Sequence, residues 1–107
     1  MKHTVITKEN FEEEVKKSAS LVVLDFWATW CGPCRMVAAE FDEISDDEAP
    51  YVKLCKVNVD EQPELADEYA IKFIPDLIFV RNGEVVFNES GYKTKEQLLE
   101  LFAKYGK

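Results

Sequence analysis

Cys31 and Cys34 stand three residues apart in the run Trp30-Cys31-Gly32-Pro33-Cys34, and no other residues in the chain are better suited to chemistry. Such a pair can hold half of a tetrahedral zinc site, or it can cycle between dithiol and disulfide. Zinc needs further ligands. Cys55 and His3 are the remaining candidates, and their spacing supports no site. No metal is therefore expected. The redox reading needs only the pair itself. Two intervening residues leave both sulfurs within bonding reach when the second lies one helical turn on.

Cys31 falls just before a predicted helix, and Pro33 suits that helix's first turn. Unsatisfied N–H groups and the helix dipole favour an anion there. The Cys31 thiol should therefore ionise readily, and the thiolate is the nucleophile. It would attack a substrate disulfide and form a mixed disulfide. Cys34, more shielded inside the helix, would attack that bond and release reduced substrate. Gly32 and Pro33 form the turn that holds the dithiol together. An inert pair in a binding module is the alternative.

The surrounding elements must position this pair. His3–Ile6 reads as a short strand. Thr7 can cap a helix carrying Phe11 and Val15. Leu21-Val22-Val23-Leu24 runs into Asp25-Phe26-Trp27 as a strand buried on both faces. Val37, Phe41 and Ile44 follow at helical spacing, and Ser45–Glu48 reads as a solvated helix end and loop. Tyr51–Val59 is a second long strand, and Gln62–Ala70 a short helix with Pro63 near its start. Leu77–Val80 and Val85–Phe87 flank Asn82-Gly83, a strong hairpin signal, and Gly91 ends the returning strand. Thr94 and Gln97 make a capping box, after which Leu98, Leu101, Phe102 and Tyr105 line one face of a last helix. The order β-α-β-α-β-α-β-β-α predicts a parallel region with an antiparallel edge added by the hairpin.

The chain has 107 residues, which predicts a single domain over 1–107. Apolar residues make up 47% and charged residues 32%, values that suit a packed core and argue against disorder. The net charge of −8 repels phosphate backbones and anionic membrane surfaces. Neither nucleic acid nor a membrane is an expected partner, and no apolar stretch has the length of a span or leader core. A monomer kept in the cytoplasm is expected. There are no repeats or low-complexity tracts. Three cysteines do not make a secreted disulfide framework.

The run Asp25-Phe26-Trp27-Ala28-Thr29-Trp30-Cys31-Gly32-Pro33-Cys34 resembles the active-site stretch of the thioredoxin family. Lys56-Val57-Asn58-Val59-Asp60, Ile74-Pro75, Asn82-Gly83 and Gly91 also fall where that family has them. The resemblance covers essentially the whole chain. It implies an α/β thioredoxin fold, three-layered, with a central mixed sheet of five strands flanked by four helices. It also implies residue roles. Asp25 would be the carboxylate behind the disulfide. Burial in so apolar a strand should raise its pKa toward neutrality, so that it can take a proton from Cys34 and return it to the leaving thiolate. Lys56 would lie near that carboxylate. Pro75 would follow a cis peptide facing the cysteines, keep metals from the dithiol, and let the Ile74 backbone pair with an extended substrate. Trp27 would pack in the core. Trp30 would border the exposed sulfur, and Gly91 would leave the substrate surface flat.

Four positions depart from the family pattern. Asp76 stands where thioredoxins usually carry threonine. Near Cys31 it would disfavour the thiolate and select substrates with basic flanks, or it points into solvent. Phe73 replaces a small residue before Ile74, and its ring either widens an apolar docking surface or folds inward. Ala39 replaces a helix-kinking proline. Cys55 matches no catalytic position and reads as core.

The resemblance implies a protein-disulfide reductase, recharged by a thioredoxin reductase using NADPH. Its substrates would be disulfide-containing proteins. It needs no bound cofactor beyond the Cys31/Cys34 pair. A disulfide oxidant or isomerase would usually carry histidine between the cysteines, and none is present. A thioredoxin-fold binding module or specialised exchange partner is the remaining alternative.

Overall fold

A computed structural model describes residues 1–106. Its centre is a five-stranded sheet in the order β1-β3-β2-β4-β5. The strands are β1 (His3–Val5), β2 (Leu21–Trp27), β3 (Val52–Asn58), β4 (Asp76–Arg81) and β5 (Glu84–Ser90). β1, β3 and β2 pair in parallel, while β4 runs antiparallel to both β2 and β5. The mixed sheet is thus as the sequence pattern implies. β2 lies at its middle, and its first six residues are buried. A strand covered on both faces has no polar alternation, which is why this run reads as continuous apolar sequence.

Alternation along the strands sorts the core into two layers. Val22, Leu24 and Phe26 of β2 join Ile78 and Val80 of β4 on one face, under Phe11, Val15 and Leu65. Leu21 and Val23 join Leu77 and Phe79 on the other, under Val37, Phe41, Leu98 and Phe102. The second face carries α1 (Gly32–Asp42) and α3 (Lys95–Gly106), and the first carries α2 (Pro63–Glu68). Phe79 anchors α3 through a tilted ring contact with Phe102 and an edge contact with Tyr105, and also packs against Phe87 of β5.

The first helical segment differs from the expectation. It is a short π-helical stretch, Glu12–Lys16, and Thr7 does not cap it. The Asn10 side chain takes over this turn: its Oδ1 accepts the Thr7 N–H at 2.8 Å and its Nδ2 donates to the Val5 carbonyl at 2.9 Å. Ser45–Glu48 is also more ordered than a loop. Asp46–Glu48 forms a 3₁₀ turn, and Glu48 Oε1 accepts the Ser45 N–H at 2.9 Å. Asn82 and Gly83 both adopt positive φ, as a two-residue hairpin turn requires. Thr94 and Gln97 cap α3 reciprocally.

Candidate active site

The site is built where β2 hands over to α1. Cys31 is the N-cap of α1, with extended backbone, and Pro33 occupies the first turn. A proline there loses no helical hydrogen bond. The N-cap position leaves backbone N–H groups free to face the Cys31 side chain, and the Cys34 N–H lies 3.2 Å from Cys31 Sγ. That donor, with the helix dipole, stabilises negative charge on this sulfur. Cys31 and Cys34 form a disulfide, with Cα atoms 5.2 Å apart.

Both cysteines are more enclosed than the sequence implied. Cys31 is 5% exposed and Cys34 3%, so the expected contrast between them is small. Ala28 is buried with the pair, and Trp27, Val59 and Ile74 pack against them. The Ile74–Pro75 peptide is cis, and the Ile74 carbonyl oxygen lies 3.7 Å from Cys31 Sγ. Gly91, at φ +104°, donates its N–H to the Pro75 carbonyl at 2.8 Å. Residues expected to share the site by resemblance are thus brought to the same end of the sheet.

Asp25 lies behind the disulfide. It is 1% exposed, and its Oδ1 has no hydrogen-bond partner among the described residues. Desolvation pushes its carboxyl up to about 7, against a smaller opposing pull from Lys56. Asp25 and Lys56 are in register on adjacent parallel strands, which explains that pull. A cavity of about 90 Å³ opens between Asp25, Trp27, Cys34, Arg35, Ala38 and Lys56. It joins the carboxyl and the second cysteine in one space. A carboxyl poised near neutrality beside a thiol can exchange a proton with it.

Trp30 is 68% exposed, and its indole Nε1 donates to Asp60 Oδ2 at 2.8 Å. Asp60 was not singled out from sequence, because this contact joins residues thirty apart. Arg35 was also missed. Its Nη1 donates to the Thr29 carbonyl at 2.8 Å while the residue borders the Asp25 cavity. Asp76 is 8% exposed and shares the face of Ile78 and Val80, across the sheet from Asp25 by strand alternation. Its Oδ1 accepts from Asn88 Nδ2 at 2.5 Å. Burial raises its carboxyl above the ordinary aspartate range, and Asn88 works against that rise. Phe73 turns outward and is 72% exposed, which settles the choice its sequence position left open. Cys55 is fully buried, and burial pushes its thiol up to about 12.

Sequence comparison bears on this geometry. A family model described as thioredoxin matches residues 2–104. The chain belongs to the thioredoxin family. A protein named thioredoxin from Listeria monocytogenes is 46% identical over 100 residues, covering 94% of this chain and 95% of its own length. A thioredoxin from Rickettsia bellii is 44% identical over 95 residues, covering 89% and 90%. One from Allochromatium vinosum is 46% identical over 93 residues, covering 87% of each. With the Cys31–Cys34 disulfide in place, this makes the protein a thiol–disulfide oxidoreductase acting on protein disulfides. Thioredoxin chemistry involves a reductase and disulfide-bearing substrates as its general partners. Among the described residues no cluster of three or more His, Cys, Asp or Glu side chains could hold a metal ion. No helix among them is long and apolar enough to cross a membrane.

Proposed function

We propose that this thioredoxin-family chain is a cytoplasmic reductant of protein disulfides, working as a single-domain monomer without bound cofactor. A thioredoxin reductase drawing on NADPH returns it to the dithiol. The observation that carries the reading is the Cys34 N–H aimed at Cys31 Sγ from the first turn of α1, with Asp25 held near neutrality behind the pair. An environment that stabilises the Cys31 thiolate supplies the nucleophile that attacks a substrate disulfide.

The roles follow the chemistry. Cys31 attacks one sulfur of the substrate disulfide, and the other leaves as a thiolate. Cys34 gives its proton to Asp25 and attacks Cys31 Sγ of the mixed disulfide. The second substrate thiolate leaves and takes up the proton. Two electrons pass to the substrate, and Cys31–Cys34 is left oxidised. Lys56 restrains the rise of the Asp25 pKa by its charge. Gly32 and Pro33 shape the turn, and Trp30, Ile74, Pro75 and Gly91 face the substrate segment, with Asp76 next to Pro75 held by Asn88. The exposed Trp30 ring and the Ile74 carbonyl beside Cys31 support that side as the docking side.

The test couples NADPH oxidation, through a bacterial thioredoxin reductase, to reduction of a disulfide-bonded protein such as insulin. Turnover is expected with the parent and none with Cys31→Ser. Turnover that persists in Cys31→Ser would refute the assignment.

A further inference from the structure

The cavity that joins Asp25 to Cys34 has six lining residues, and only Arg35 among them is exposed. Asp25 and Cys34 are sealed from solvent, and Trp27, Ala38 and Lys56 are half-buried. Arg35 thus stands between this space and the water outside. A free arginine side chain samples many rotamers, but this one is tied down. Its Nη1 donates to the Thr29 carbonyl at 2.8 Å, across the turn that carries both cysteines. Its Nη2 lies beside Gly32, 3.9 Å from where a Cβ would stand on that residue. It makes no salt bridge among the described residues. The head group is committed to the outside of the turn. That leaves the aliphatic stem to border the cavity, as the stems of long cationic side chains do on apolar surface. Charge divides the same way. Lys56 is the cation whose field Asp25 feels, and Arg35 adds no pull of its own. Desolvation is what lifts the Asp25 carboxyl, so its height depends on what keeps water out.

We propose that Arg35 is a positioning residue for proton transfer: its stem, latched through the guanidinium to the Thr29 carbonyl, is the cover that keeps water off Asp25 and Cys34. The proposal rests on the reading of Asp25 as the proton partner of Cys34. A covered carboxyl stays poised near neutrality to take the Cys34 proton when the mixed disulfide is released. An uncovered one is hydrated, ionises at lower pH and becomes a weaker base. Arg35 touches no reacting atom in this scheme and acts only through Asp25.

The sign of one titration separates cover from charge. Removing a cover hydrates Asp25 and lowers its midpoint, whereas removing a nearby cation would raise it. The experiment follows the Asp25 carboxyl carbon by NMR in the disulfide form of the parent, Arg35→Ala and Arg35→Met. In Arg35→Ala the midpoint is expected to fall by about one pH unit. Arg35→Met keeps most of the stem without the charge or the latch, and its midpoint should fall less. The second readout is the pH profile of insulin reduction by the reduced protein. The limb of that profile which Asp25→Asn abolishes should move toward lower pH in Arg35→Ala. A midpoint that stays put in Arg35→Ala would overturn the cover. A midpoint that rises would overturn it in favour of a role through charge. A fall in Arg35→Met as large as in Arg35→Ala would also overturn it, because the stem would then exclude no water. If Asp25→Asn abolishes no limb, the proton-transfer reading itself fails, and a cover over Asp25 serves no step of the reaction.

Discussion

Replacing Asp25 by asparagine should make the protein more stable at neutral and alkaline pH, and the gain should depend on pH. The carboxyl is 1% exposed, and Oδ1 has no partner among the described residues. Its folded-state pKa is about 7, raised from 3.8 by desolvation and partly offset by Lys56. The sign follows from linkage. Below the unfolded value of 3.8 both states hold the proton, and the group costs nothing. As pH rises, the unfolded chain releases the proton while the folded chain retains it, so stability falls until the folded group ionises near pH 7. A shift of this size, at about 1.4 kcal/mol per unit, amounts to about 4 kcal/mol. Asparagine removes that cost. Burying its amide adds a term of its own, but that term does not change with pH. The difference between Asp25→Asn and parent should therefore grow by about 4 kcal/mol from pH 4 to pH 8. In guanidinium chloride the gap between the two midpoints should widen by roughly 1 M over that range. The assay is equilibrium unfolding of both proteins in the disulfide form across that range. Parallel pH profiles would refute the reasoning, because they would mean that the carboxyl ionises in the folded protein as it does in water.

The enclosure of Cys55 and a thiol pKa near 12 predict no alkylation by iodoacetamide in the native protein, with reaction appearing only on unfolding. Rapid native-state labelling at Cys55, located by mass spectrometry, would contradict this. Gly91→Ala should cost about 1–2 kcal/mol in thermal or chemical unfolding. An added Cβ meets nothing within 4 Å, so the cost lies in the backbone at φ +104°. A neutral result would show that this backbone relaxes freely. Cys34→Ser should leave Cys31 able to attack and unable to release, so a mixed disulfide with insulin should accumulate and be visible by mass spectrometry. Its absence would assign the first attack elsewhere. Asn88→Ala should cost about 1 kcal/mol and raise the Asp76 carboxyl further, as read by unfolding and by NMR titration of that carboxyl, because the Asn88 amide is the donor that favours its charged form.

What was legible in the sequence is what is local. The paired cysteines, the proline of the first turn, the Asn82–Gly83 hairpin and the Thr94–Gln97 cap are each decided within a few residues. β2 was legible because a central strand is apolar on both faces, and that pattern also marked Asp25 as the one charge inside it. Contacts between distant elements left no such trace. Trp30 with Asp60, Asp76 with Asn88, and Tyr92 with Glu40 each join residues at least twelve apart. Nothing in the spacing of one partner specifies the other. Thr7 was misread for a related reason. A threonine before a helical pattern resembles a cap, but the bond runs the other way: the Asn10 side chain accepts the Thr7 N–H. The enclosure of Cys31 depends on Trp27, Val59 and Ile74 arriving together from three parts of the chain.

The claim most central to this account is that Cys31/Cys34 is a reductant. Its most direct test is the equilibrium reduction potential of the pair, titrated against a dithiol buffer at pH 7. The Gly32-Pro33 pair and the absence of histidine between the cysteines predict a value below the cytosolic glutathione poise of roughly −220 to −260 mV. A value well above that poise would contradict the account and identify the pair as an oxidant.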